Sequence, residues 1–255
     1  NKRVLSFNID SSISSFYWSS DNKGIYCTYD KFGDTKIAYL NLEGTDKDLA
    51  NNLGGNSIGR PYGGGSFSVS KNGVIAYTNT SYNHPSELTV VNGKKTNQIT
   101  NLSYELLKNR TLAKVEEVWY KSSFDNRDIQ GWVVYPPNYN PEKKYPFLVE
   151  NHGGPISNYG SRFSAEVQLF AAAGYIVFYP NPRGSTSYGE EFANLLHHNY
   201  PAEDYLDVMD GVDFCVKNGI AHENMLYVTG GSAGGLMTAW MLSLIHISEP
   251  TRQFR

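Results

Sequence analysis

The stretch that most limits what this chain can fold into is residues 225–236, Met-Leu-Tyr-Val-Thr-Gly-Gly-Ser-Ala-Gly-Gly-Leu. Its apolar start, Met225 to Val228, predicts a short buried strand. Beyond the glycines, Leu236 to Met241 resumes with helix-forming residues. Between them lies Gly230-x-Ser232-x-Gly234, the pattern of a nucleophile elbow, in which a serine stands on a sharp strand-to-helix turn. The turn demands its glycines, because a Cβ on either side of the serine would strike the adjoining strand or helix. It also sets Ser232 at a helix N-terminus, where free N–H groups and the helix dipole favour a developing negative charge. A phosphate loop is the competing strand-turn-helix device. Here Ser232 stands where G-x-G-x-x-G needs its second glycine, and the Lys-Ser/Thr ending of a Walker loop is missing.

At 255 residues, 40% of them hydrophobic, the chain can bury one large core or two modest ones. Its 22 basic and 25 acidic side chains leave a net charge of −3, so no basic field points to nucleic acid. Cys27 and Cys215 define neither a metal spacing nor a disulfide framework. No apolar run reaches the length of a membrane span. The compartment and the oligomeric state are not legible.

Two stretches of the first half answer each other. Phe16 to Tyr26 and Phe67 to Tyr77 each read as an alternating strand, a polar turn ending in glycine, and a second strand. A third strand candidate follows each, Lys36–Leu40 and Glu87–Val91. The offset of roughly fifty residues fits one four-stranded β-propeller blade. Closing a ring takes at least about four blades. Residues 1–114 are therefore expected to be the last blades of a longer array.

From about residue 115 the pattern changes. Val115–Tyr120 and Ile129–Tyr135 predict antiparallel strands, and Tyr145–Glu150 a third, which runs into Asn151-His152-Gly153-Gly154-Pro155. A glycine-rich loop of this kind after the third strand contributes one backbone N–H to an oxyanion hole, and the residue after the nucleophile supplies the other. The donors are then Ala233 and Gly154, with Gly153 as the second choice, and His152 reads as a loop residue rather than a base. Ser164–Ala173 predicts a helix with Ala165, Leu169 and Phe170 apolar, and Tyr175–Tyr179 a strand buried on both faces. Asn181–Gly189 forms a long loop at that strand's carboxyl end, where ligands bind in such sheets. Asp204, Asp207, Asp210 and Asp213 recur every three residues on a helix. With no histidine or turn to converge them, they read as a solvated face and not a metal site.

With Asn151–Pro155, Asn181–Gly189 and Gly230–Gly235 in this order, the chain resembles the prolyl oligopeptidase family of serine peptidases. The nearer branch is that of the dipeptidyl and acylaminoacyl peptidases. The resemblance runs from about residue 10 to Met241. It implies an α/β chain in which propeller blades precede the first part of an α/β-hydrolase domain, residues 115–241. It also implies hydrolysis of short peptides through an acyl-enzyme on Ser232, with no cofactor and no metal. Arg183 and Tyr188 match the family's Asn-Pro-Arg-Gly-Ser-x-x-Tyr-Gly loop beside the site. Ala233 departs from the tyrosine that many members carry after the serine.

In this fold the triad order is serine, then acid, then histidine. After Ser232 only His246 and Glu249 are available, in the wrong order and too near in sequence. His84, His197, His198 and His222 all precede the serine. Neither the triad aspartate nor its histidine is therefore expected in this chain, and these residues alone are expected to be inactive, since a serine without its base is a weak nucleophile. Leu242 to Arg252 coincides with the translation of a sequencing-library transposase adapter. Residues 242–255 are accordingly read as a non-native tail. Two other functions are compatible with the motifs: an esterase or lipase on the same fold, and a propeller-based binding protein with a vestigial hydrolase domain.

Overall fold

Alternating side chains and serine-closed turns build the first eight strands. β1 (Ser15–Trp18), β2 (Gly24–Lys31), β3 (Asp34–Asn41) and β4 (Asp46–Ala50) form one antiparallel meander in chain order. β5 (Phe67–Val69), β6 (Ile75–Ser81), β7 (His84–Asn92) and β8 (Lys95–Gln98) form a second. The repeat seen in the sequence has a structural counterpart in the turns. Ser19 accepts from the Asn22 N–H and donates its hydroxyl to the Gly24 carbonyl, while Ser70 accepts from the Gly73 N–H and, through its side chain, from the Val74 N–H. A core of Ile37, Leu53, Phe67, Ile75, Tyr77 and Val91 joins the two meanders. Cys27, Tyr29, Ala38 and Leu40 cover the other face of the first with Ile9.

The computed structural model describes residues 3–248. The chain divides into two units. The first runs to Arg110 and adds Gly160–Ser164 and Thr186–Glu190. The second takes Thr111–Tyr159, Ala165–Ser185 and the chain from Glu191 onward. Arg162 is the reason a later segment joins the first unit. Its buried guanidinium donates to the Gly33 carbonyl at 2.9 Å and to the Thr35 hydroxyl at 2.6 Å. Nothing in the sequence marked it. The short helix α1 (Tyr104–Leu107) ends the first unit's run.

The second unit is a five-stranded sheet with helices between its strands. Its strands are β9 (Lys114–Lys121), β10 (Asp128–Tyr135), β11 (Phe147–Asn151), β12 (Ile176–Asn181) and β13 (Leu226–Gly230), in the spatial order β13-β11-β12-β10-β9. β9, β10 and β12 pair antiparallel in turn, whereas β12, β11 and β13 are parallel. α2 (Ala165–Ala172) follows β11, α3 (Glu190–Asn194) and α4 (Asp204–Lys217) follow β12, and α5 (Ala233–Ser248) follows β13. Central strands β10, β11 and β12 are buried almost throughout, as apolar runs with helices on their faces must be. Trp132 and Tyr179 stack between neighbouring strands at 5.3 Å.

Three expectations need correction. β13 is half-buried rather than buried, because among the described residues it is the edge strand and pairs only with β11. In α2 the buried residues are Val167 and Ala171, while Leu169 is 70% exposed. The sheet selects the helix face, and the eight-residue helix starts one residue later than its sequence pattern implied. The aspartate row of α4 is not a solvated face: Asp204 and Asp207 are buried, and Asp210 accepts from the Ser123 N–H. No helix of the described residues is long and apolar enough to cross a membrane.

In the first unit, Glu87 is buried and accepts four hydrogen bonds, from the Thr100 and Ser103 hydroxyls and the Leu102 and Ser103 N–H groups. Burial alone would raise its pKa; the Thr100 and Ser103 donors overcome it and hold the carboxyl at about 2. A carboxylate whose folded pKa lies below its ordinary value of 4.5 stabilises the fold above that pH, and the contribution fades as pH falls towards about 2. Glu87→Gln should therefore destabilise the first unit at neutral pH and flatten its acid dependence below about 4.5, measured by denaturant unfolding down the pH scale.

Candidate active site

Two parallel strands bring the chemistry together. Asn151, the last residue of β11, pairs with Gly230, the last of β13. Parallel neighbours finish at the same edge of a sheet, so the loop after β11 and the turn after β13 emerge side by side. The approach is close enough to exclude side chains. A Cβ on Gly234 would sit 2.1 Å from the Asn151 carbonyl oxygen, and one on Gly230 would sit 2.4 Å from that of Gly234. These contacts are the physical reason for the two flanking glycines of the elbow.

Ser232 occupies the bend itself. Its φ is +58°, a left-handed conformation that costs a non-glycine residue about 1–2 kcal/mol. Its side chain is exposed, and among the described residues no histidine or carboxylate hydrogen-bonds to it. Ala233 opens α5 immediately after it. Two braces hold this helix start. Thr238 donates to the Gly234 carbonyl at 2.8 Å, and Tyr200 donates its phenol proton to the Ala233 carbonyl at 2.6 Å.

The loop after β11 has a buried side and an open side. His152 and Gly153 are buried, whereas Gly154 is exposed with φ at +132°. Of the two glycines, Gly154 is thus the one open to a ligand. His152 is committed elsewhere: Nδ1 meets the Gly153 carbonyl at 2.9 Å and Nε2 meets the Ser185 hydroxyl at 2.9 Å. Burial pushes its pKa down, against the pull of the Gly153 carbonyl, and the ring is neutral at pH 7. Both ring nitrogens thus have a partner in the loops, and the Ser185 hydroxyl in turn donates to the Pro182 carbonyl at 2.6 Å. His152 fastens the loop to Ser185, and both of its nitrogens meet groups other than Ser232.

Ser185 is placed in turn by the segment after β12. Arg183, 2% exposed, donates from Nε and Nη2 to both oxygens of Asp207, each at 2.8 Å, and from Nη2 to the Ser122 hydroxyl. Its guanidinium also lies 4.8 Å from the centre of the Phe124 ring. Burial opposes the Arg183 charge, but Asp207 and Asp125 outweigh it and raise the pKa. Asp204, one helical turn from Asp207, has no cation of its own among the described residues. Burial, with the Asp207 charge adding to it, pushes its carboxyl up to about 6 although it accepts from the Ala202 N–H. Asn151, His152, Pro155, Arg183, Tyr200 and Asp204 all line one small recess.

Sequence reasoning named Ser232, Ala233, Gly154, His152 and Arg183, and all five lie in the second unit. The sixth, Tyr188, is in the other unit. It belongs to the first unit, with its ring 6.0 Å from that of Phe32. His246 and Glu249 lie outside the residues whose side chains are described. Reasoning from sequence missed Ser185, Asp207 and Tyr200. The row of aspartates was the visible signal for Asp207, misread because its partner Arg183 is 24 residues away. No group of three or more metal-capable side chains gathers among the described residues.

Three substitutions separate strain from support. Ser232→Gly should stabilise the second unit by about 1 kcal/mol, since glycine adopts the bend without penalty, and Ser232→Ala should not. Arg183→Met leaves Asp207 buried without its cation and should cost about 3–5 kcal/mol. Denaturant midpoints of the three variants check both statements.

Residues 161–246 match the prolyl oligopeptidase family. The uncharacterized peptidase YuxL of Bacillus subtilis is 34% identical over 88% of this chain and 33% of its own length. Dipeptidyl-peptidase 5 of Aspergillus fumigatus is 29% identical over 91% of this chain and 32% of its own. The chain therefore spans about a third of the curated relatives it matches. The solved acylaminoacyl peptidase of Pyrococcus horikoshii superposes with a TM-score of 0.78 at 26% identity, over 94% of this chain and 36% of that one. The second unit has the α/β-hydrolase fold of such enzymes, and the chain is a relative of the prolyl oligopeptidase family of serine peptidases.

Proposed function

We propose that these residues belong to a serine peptidase that cleaves short peptides through an acyl-enzyme on Ser232. The observation that carries the reading is the exposed Ser232 on a left-handed bend, beside a loop that presents Gly154. In the reaction, Ser232 Oγ attacks the scissile carbonyl while a base takes the hydroxyl proton. The carbonyl oxygen becomes an anion held by the Ala233 and Gly154 N–H groups. Its collapse expels the amine, which takes up that proton, and water then frees the acyl group. Arg183 and His152 act behind these atoms by holding the loops. Support for a peptide substrate comes from a related acylaminoacyl peptidase, 27% identical and with a TM-score of 0.79, solved with Z-Gly-Gly-Phe-chloromethyl ketone.

The two meanders of the first unit are, on the same reading, consecutive blades of a propeller. Their strands lie in chain order and repeat the serine-closed turn, as blades do. The acid and base of the triad are not among the described partners of Ser232, and these 255 residues alone are read as inactive.

The full-length gene product should hydrolyse peptidyl-chromophore amides and lose at least about a thousandfold of kcat on Ser232→Ala. Residues 1–255 by themselves should show no turnover and no labelling by a fluorophosphonate probe. Ester turnover without amide turnover by the full-length protein would favour an esterase. Serine-dependent amide cleavage by residues 1–255 would overturn the inactive reading.

A further inference from the structure

We propose that Tyr200 is a positioning residue for the oxyanion donor at Ala233, an inference that rests on the peptidase reading above. The donor is the N–H of the peptide joining Ser232 to Ala233. Its direction depends on the backbone angles at two residues. One of them, Ser232, sits at φ +58°, a conformation that the chain relaxes from unless something holds it. The peptide on the far side of Ala233 is the nearest place to apply that hold, and Tyr200 grips it. Its phenol donates to the Ala233 carbonyl at 2.6 Å across 33 residues of sequence.

No residue of the elbow itself can do this. Gly234 and Gly235 offer only backbone groups, and their N–H groups serve the helix start: Gly234 donates to the Gly231 carbonyl, and Gly235 to that of Ser232, while the Ser232 hydroxyl is the nucleophile of the proposed reaction. The Thr238 hydroxyl reaches only the next carbonyl along, that of Gly234. Tyr200 stays a donor throughout the working pH range, because burial, with the charge of Asp204 behind it, pushes its phenol up to about 12. Tyr200 also lines the recess that His152 and Pro155 line. A donor aimed slightly wrong still binds substrate. It fails at the tetrahedral oxyanion, where the hydrogen bond must shorten.

The test is made in the full-length protein. Tyr200→Phe removes one hydroxyl and keeps the ring. The expected result is a fall in kcat of about tenfold with KM within about twofold, and an equal loss of affinity for a peptidyl aldehyde, which forms a tetrahedral adduct on the serine. A purely structural role would lower thermal stability or the titre of active sites and leave kcat per active site unchanged. That outcome, or a rise in KM at constant kcat, overturns the proposal. Should Tyr200→Phe not fold, 4-aminophenylalanine at position 200 keeps a weaker donor in the same shape. It should give an intermediate kcat at unchanged KM, and wild-type kcat there would equally refute the assignment. Absence of turnover in the wild-type full-length protein would remove the peptidase reading and this inference with it.

Discussion

The candidate site depends on one backbone-to-backbone approach, that of the start of α5 to the end of β11. Position 234 comes so near the Asn151 carbonyl that no side chain fits between them. Main-chain contact of this kind is stiffer than any side-chain packing, since neither partner can change rotamer to relieve it. It sets the height at which Ser232 leaves the sheet. The bend beside it, at Ser232, is left-handed, a conformation that packing must hold in place.

The supports around that contact form two chains of polar groups. On one side Asp207 holds Arg183, the segment after Arg183 places Ser185, and Ser185 holds His152. On the other, Tyr200 and Thr238 hold the first carbonyls of α5. Buried pairs such as Arg183–Asp207 add little net stability over an apolar pair of the same shape. What they contribute is direction: a bidentate guanidinium fixes both distance and plane. His152 shows the same logic, because a neutral ring with both nitrogens engaged can orient a loop but cannot take a proton from Ser232.

Much of this was legible in the chain. Strand patterns placed most elements to within a few residues, and the glycine-serine motifs marked both loops, because glycine at a close backbone approach has no substitute. The face of α2 was misread because Leu169 and Val167 are equally apolar, and only the sheet decides which of them it covers. The aspartate row of α4 was misread for the opposite reason. A carboxylate on a regular three-residue spacing looks solvated until its cation arrives from another segment, and Arg183 sits in a loop after β12.

Local sequence therefore determined the parts with short-range causes: the elbow, the glycine-rich loop, the repeated hairpins and the alternation of strands with helices. Their causes lie within about ten residues, in backbone sterics and in the period of apolar side chains. Tertiary structure alone decided which buried polar groups meet. Tyr200 reaches Ala233 across 33 positions, Arg183 reaches Asp207 across 24, and His152 reaches Ser185 across 33. A hydrogen bond between distant segments leaves no periodic trace, because its existence depends on where the sheet order carries each loop.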